Sequence, residues 1–368
     1  MPLTLTNFRA VSMPQGDAIH VGDDGRVTAS APAGARVIDC GGAYLSPGWC
    51  DLHVHVWHGG TDISVRASEA GRATGVTAMA DAGSAGEGNF HGLREYVIEP
   101  HSETIRAFIN IGSIGLVCCN RVSELIDMRS IDVDRTLAVI DANRDVICGV
   151  KVRASGVIVG GWGITPAKIA KRVAEISGLP LMVHVGEPSP LIDEVFEILT
   201  PGDIVTHCFN GKRAGSIRDT QALFDMAQRI AGEGVRMDIG HGAASFCFAT
   251  ARMAMEKGLR PWSISTDLHL RNLHGPVYDM ATTASKLIAT GLPFADTIDA
   301  ITLHPRETMG LTTVPGIGDK ADFTVFRLED CNQPVADSLG NSMVLTRMLE
   351  PVGTVIGASW QDAARRLE

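Results

Sequence analysis

Several functional classes are excluded by what this chain has little of. Aromatic residues are only 5% of its 368 positions, and no run of about 18 apolar residues is present, so no membrane span is expected. Basic residues number 32 against 42 acidic ones, a formal net charge of −10, and no basic cluster stands ready for a phosphate backbone. Neither a nucleic acid nor a membrane is therefore expected as a partner. The eight cysteines show no CxxC spacing and only one close pair, Cys118-Cys119, which reads as reduced thiols in a cytoplasmic protein. The opening MPLTLTNFRAVSMPQGDA lacks a charged segment followed by an apolar stretch, so no secretion signal is expected. What the chain does have is 45% hydrophobic residues, enough for a large core, and 40 glycines, which suit many tight turns between strands and loops.

The organising stretch is Gly48 to Gly60, GWCDLHVHVWHGG. His53 and His55 close an apolar run, and side chains at i and i+2 of a strand share a face, so both imidazoles project together. A pair of buried, hydrogen-bonded histidines would look the same, and His-x-His alone makes only half of a metal site.

Both chain ends read as short strands. Leu3 to Val11, Ala18 to Val21, Arg26-Val27 and Ala35 to Asp39 are separated by turns such as Gly22-Asp23-Asp24-Gly25. Ala321 to Phe326 and Pro351 to Gly357 are strand-like too, so residues 1–46 plus 312–368 are expected to form one small β domain. The tail Ala358 to Glu368 reads as a loosely held terminus.

Between the ends, residues 47–311 alternate β-rich runs with helix-compatible stretches. The strands are expected at Leu45 to His55, Gly75 to Ala82, Ile105 to Ile114, Ile147 to Arg153, Leu181 to Val185, Asp203 to Cys208, Val235 to Ile239 and Trp262 to Asp267. Pro166 to Gly178, Leu191 to Leu199, Asp219 to Gly232 and Ala249 to Gly258 carry helical spacing and mostly end at glycine. Such alternation implies an α/β fold, a (β/α)8 TIM barrel with the small β-sandwich domain appended. An open doubly wound sheet is the competitor, but HVHVWHGG is a poor GxGxxG.

Polar residues then close the apolar strand runs: Lys151 on the fourth, His184 on the fifth, His207 on the sixth and Asp267 on the eighth. In a barrel those positions face the catalytic mouth. Each alone could be a satisfied core group. Together they would bury an ammonium, a carboxylate and four imidazoles where apolar branched residues normally pack, which is costly without a purpose.

This set resembles the amidohydrolase superfamily, in particular its binuclear, carboxylated-lysine members such as dihydroorotases, hydantoinases and dihydroorotase-like deacetylases. The resemblance rests on PG-x-x-DLHVH at Pro47 to His55, Thr74-Gly75-Val76-Thr77, Lys151, His184, His207, Asp267 and Gly318-Asp319-Lys320-Ala321-Asp322-Phe323. It implies two divalent metal ions, zinc suiting the nitrogen and oxygen donors best, and a carbamate formed by CO₂ on Lys151. His53, His55, the carbamate and Asp267 would hold one ion; the carbamate, His184 and His207 would hold the other. It further implies hydrolysis of an amide, cyclic amide or ester in a small molecule, by a hydroxide bridging the metals, with Asp267 as general base and acid.

The sequence departs from two relatives. Val56-Trp57-His58 follows HxH where dihydroorotases carry an arginine, and Ser155-Gly156-Val157 stands where hydantoinases carry a tyrosine. Arg153, on the same face as Lys151, could clamp a substrate carboxylate or form a salt bridge within the barrel. Asn210 and His241 could bind substrate or orient the ligands, and Trp57 and Trp162 could wall an apolar group. A deaminase, for which Glu187 would be the acid, and a non-catalytic barrel are the alternatives. Homo-oligomers are common in the family, so one is possible here.

Overall fold

The computed structural model describes residues 1–367. The chain opens with Leu3–Ala10 (β1), Ala18–Val21 (β2), Val27–Thr28 (β3) and Arg36–Pro47 (β4). β1 runs antiparallel to β2 and parallel to β4, with Leu3 opposite both Val21 and Arg36. At Gly48 the chain leaves this sheet and enters a second one, so the expected strand Leu45 to His55 is divided between two sheets.

The second sheet is parallel throughout: Trp49–Val54 (β5), Val76–Gly86 (β6), Thr104–Asn110 (β7), Ile147–Ala154 (β8), Leu181–Val185 (β9), Ile204–Thr206 (β10) and Arg236–Asp238 (β11), each paired with the next. Every residue of β5 and β6 is buried, which is why these strands read as near-continuous apolar runs. Closure comes from residues 263–268, which bridge β11 through Asp238 and Ser263 and β5 through Val54 and Leu268. Hydrogen bonds from Asp267 N to His53 O (2.7 Å) and from His55 N to Leu268 O (3.1 Å) complete the ring. This eighth strand supplies backbone bonds to both neighbours without forming a regular ladder.

Helices cover the outside. Thr165–Ser177 ends on Gly178 in the left-handed conformation (φ 68°), and Gln221–Gly232 starts from Thr220, whose hydroxyl accepts from Leu223 N. Among the described residues no helix is long and apolar enough to cross a membrane.

The chain then returns to its first sheet with Asp322–Ala336 (β12), Ser342–Ile356 (β13) and Ser359–Asp362 (β14). β12 pairs with β4 from Phe323 opposite Pro47 to Phe326 opposite Tyr44, giving the order β14-β13-β12-β4-β1-β2-β3. Two features differ from expectation. β12 and β13 are 15 residues each, far longer than the apolar cores legible in them, and their tip reaches the barrel mouth, where Ser338 N donates to Phe246 O. The tail expected to be loose forms β14 on β13; Glu368 lies outside the described residues.

Candidate functional site

At the carboxyl ends of the barrel strands the imidazoles of His53, His55, His184 and His207 meet, edge to face for His53–His55 and His184–His207 and tilted for His53–His207. Ring centroids are 5.4 Å apart for His53 and His55, 5.2 Å for His53 and His207, and 4.3 Å for His184 and His207. Lys151 Nζ stands 3.2 Å from His53 Nε2, and Asp267 Oδ1 stands 3.4 Å from His53 Nε2 and 3.1 Å from His55 Nε2. Donor atoms of His53, His207 and Asp267 all fall within 4.8 Å of one another, a spacing that one cation can span. The cluster opens into a cavity of about 470 Å³, whose wall includes Ile63, Leu116, Arg153 and Ile158.

The backbone is bent to make this possible. His207 and Asp267 both adopt left-handed φ, 69° and 48°, a conformation costing about 1–3 kcal/mol for a residue with a side chain. Two glycines make room: a Cβ on Gly83 would lie 2.7 Å from Lys151 Cγ, and one on Gly242 would lie 2.4 Å from Asp267 Oδ2. Any side chain there would displace a member of the cluster.

Burial sets the protonation states. It drives the Lys151 amine down to about 7, partly opposed by Asp267, and the His207 imidazole down to about 3. His53 and His184 are likewise held well below the ordinary histidine value by burial, with neighbouring cationic groups adding to it. Burial alone would raise the Asp267 carboxyl, but His53 and His55 beside it hold it well below the usual carboxylate range. Burial thus keeps the imidazoles of His53, His184 and His207 neutral beside the Asp267 carboxylate. His207 Nδ1 lies 2.6 Å from Gly240 O, a group that can only accept, so the ring hydrogen is on Nδ1. Nε2 is left with a lone pair that is buried and has no hydrogen-bond partner. An orphaned acceptor of this kind needs a cation or a donor from outside the chain.

Arg153 is fixed by an ion pair. Its Nε and Nη2 donate to Glu124 at 2.8 and 2.6 Å, and Glu124 is fully buried, so one edge of the guanidinium is occupied while the residue still lines the cavity. Asn210 and His241 sit differently from the other candidates: both are buried outside the cavity wall. Asn210 Nδ2 donates to His207 O and Gly215 O, and His241 faces Lys286 Nζ through Nε2 at 3.0 Å. Trp57 is half-buried and Trp162 is 45% exposed, and neither lines the cavity. Glu124, Thr206 and Asp238 escaped the reading of the sequence. Asp238 had a signal, a carboxylate inside the apolar run Val235 to Ile239; Glu124 lies in an irregular loop that carries none.

Comparison with known proteins places this arrangement among relatives. A family model described as a deacetylase-like composite domain matches residues 316–362, the long terminal hairpin and β14. A deacetylase of Brucella anthropi is 53% identical, covering 99% of this chain and 94% of its own length, and a deacetylase of Agrobacterium fabrum is 52% identical, covering 99% and 92%. Among solved structures, one described as a dihydroorotase superposes with a TM-score of 0.95 at 51% identity over 99% of both chains. Another, described as an adenine deaminase, gives 0.90 at 33% identity over 98% and 99%.

Proposed function

We propose, from the premise that this chain belongs to the amidohydrolase superfamily and to the family of the deacetylases it matches, that it removes an acyl group from a small carboxylate-bearing molecule by hydrolysis. The observation that carries this reading is the buried lone pair of His207 Nε2 beside His53, His184 and the ionised Asp267. Such a donor set fits divalent cations: nitrogen and carboxylate oxygen, no thiolate, and too little proton affinity to fill itself with hydrogens. His53, His55 and Asp267 would hold one ion and His184 and His207 a second.

Lys151 would join the two. The neutral amine's lone pair can attack CO₂, forming an N–C bond as one C=O π pair moves onto oxygen and one proton leaves to water, so that an anionic carbamate stands where the amine was. With its pKa at about 7, a good share of Lys151 is neutral near physiological pH. Bound divalent ions would supply Lewis-acid charge and acidify a water.

The chain's own groups account for the rest. Asp267, ionised and 13% exposed to the cavity, accepts the proton of the attacking water and returns it to the leaving nitrogen or oxygen. Arg153, held by Glu124, offers the remainder of its fork to a substrate carboxylate. Ile63, Leu116 and Ile158 present apolar surface that limits stray water. The deaminase alternative is disfavoured because its acid would be Glu187. Burial raises that carboxyl, but Lys212 at 2.8 Å and the Ser155 hydroxyl at 2.6 Å hold it low, the wrong direction for a proton donor.

A panel of N-acyl and O-acyl acids, assayed with zinc and bicarbonate present, tests the proposal. Release of the acyl group from at least one class, lost with chelator and restored by zinc, is the expected result. Turnover of aminated heterocycles alone would refute it.

A further inference from the structure

His53 differs from the other imidazoles in what stands behind it. Its Nδ1 lies 2.8 Å from Thr206 Oγ1, and that hydroxyl lies 2.7 Å from Asp238 Oδ2. Asp238 is fully buried and collects two more hydroxyls, Ser265 on Oδ2 at 2.7 Å and Ser263 on Oδ1 at 2.6 Å. Ser265 Oγ already accepts the Gly240 N–H at 3.0 Å, so its own proton goes to the carboxylate. Strand β10 and the closing segment 263–268 thus converge on the carboxylate of β11, with His53 of β5 one hydroxyl away.

The protons can be assigned from these contacts. Burial pushes the Asp238 carboxyl up while the Ser263, Ser265 and Thr206 hydroxyls oppose it; ionised, it can only accept, and the single Thr206 hydroxyl proton is then committed to it. The Thr206 oxygen can then only accept from the ring, which puts the imidazole hydrogen on Nδ1. We infer that Asp238, acting through Thr206, is a positioning residue that locks His53 in the tautomer whose Nε2 lone pair faces Lys151 and Asp267. His55 has no comparable backing. Its Nδ1 meets Ser84 Oγ at 3.1 Å, and that hydroxyl shares a 3.5 Å contact with Ser64 in which either can donate. His207 is fixed by a backbone carbonyl instead.

The tautomer stands on the contacts alone; its consequence for metal affinity rests on the metal-dependent reading above. With Thr206 free to rotate, the hydroxyl could donate to Nδ1 and drive the hydrogen onto Nε2, where it would block a cation. Partners of this kind behind a ligating histidine typically change metal affinity by about 10–100-fold.

The test uses the full chain with ¹⁵N-labelled histidine, freed of metal, with His53 resonances assigned by their loss in His53→Asn. The wild type is expected to show a protonated Nδ1 and an unprotonated Nε2. Thr206→Val is expected to lose that fixed pattern and to bind zinc, measured by calorimetry, about 10–100-fold more weakly, while Thr206→Ser stays within about 3-fold of wild type. Asp238→Asn gives a second reading if Thr206→Val does not fold: its amide can donate to Thr206, which turns the hydroxyl towards His53 and shifts the ring hydrogen to Nε2. A wild-type His53 protonated at Nε2, or a folded Thr206→Val that binds zinc as tightly as wild type, would overturn the inference. A wild type with the expected tautomer that takes up no zinc would instead sink the metal reading and leave the tautomer standing.

Discussion

Lys151 and Lys286 are both sealed inside the molecule, 1% and 0% exposed, and burial pushes both amines down to about 7. Their neighbours separate them. Lys286 Nζ points at Pro276 O, at Ala336 O (2.8 Å) and at His241 Nε2 (3.0 Å), three acceptors in reach. Lys151 Nζ has His53 Nε2 at 3.2 Å and the weakly accepting sulfur of Met182 at 3.5 Å. The buried amine of Lys286 is surrounded by acceptors and that of Lys151 is not. The lesson is that burial alone does not mark a reactive lysine; the count of acceptors around it does. Lys286, on the helix Met280–Ala289, braces the end of β12 against the barrel, whereas Lys151 lacks such a set of acceptors.

The sharpest way to break this contrast is to remove each lysine in turn. Lys151→Ala should lower kcat/KM by about 10³-fold or more, the scale seen when one member of a catalytic constellation is lost, with little change in thermal midpoint of the metal-free chain. Lys286→Met should do the reverse. It strands two carbonyls and an imidazole nitrogen, costing about 2–4 kcal/mol in urea unfolding, while kcat of the folded fraction stays near wild type. Equal losses of activity from both variants would erase the distinction.

A smaller effect is expected at Arg153. Arg153→Lys keeps the charge and loses the planar fork, so KM for a carboxylate-bearing substrate should rise about 10-fold with kcat less affected. An unchanged KM would mean that Arg153 serves only Glu124.

The smallest effect is in the pH dependence of the metal-free protein. A lysine near about 7 when folded and near about 10.4 when unfolded binds more protons in the unfolded state over that interval, so folding stability rises with pH there. Each such group contributes a slope of up to about 1.4 kcal/mol per pH unit, and Lys286→Met should remove its share between about pH 7.5 and about pH 9.5. A slope identical to wild type would show Lys286 to be charged in the folded state.

The barrel and its candidate ligands were legible because each ligand terminates an apolar strand run, and strand ends of a parallel barrel share one rim. His53, Lys151, His184, His207 and Asp267 come together on that account. The same logic stops working a few residues past the strand. His207 itself takes the left-handed conformation, and Asn210 beyond it folds back onto His207 O instead of facing the cavity. His241 is turned towards Lys286 by a partner 45 positions away. Periodicity also hides what alternates weakly: Asp322–Ala336 carries charged residues along its exposed length, so only its first apolar turn read as a strand. Glu124 was illegible because its loop has no period at all, and its importance comes entirely from Arg153 across the cavity wall.

The central claim is that Lys151 is the group around which divalent ions gather at the barrel mouth. Metal analysis of the full chain and of Lys151→Ala, both dialysed against zinc and bicarbonate and then freed of excess ion, tests it most directly. The account predicts about two zinc ions per wild-type chain and at most about one in the variant. Two retained in Lys151→Ala, or none in the wild type, would contradict it.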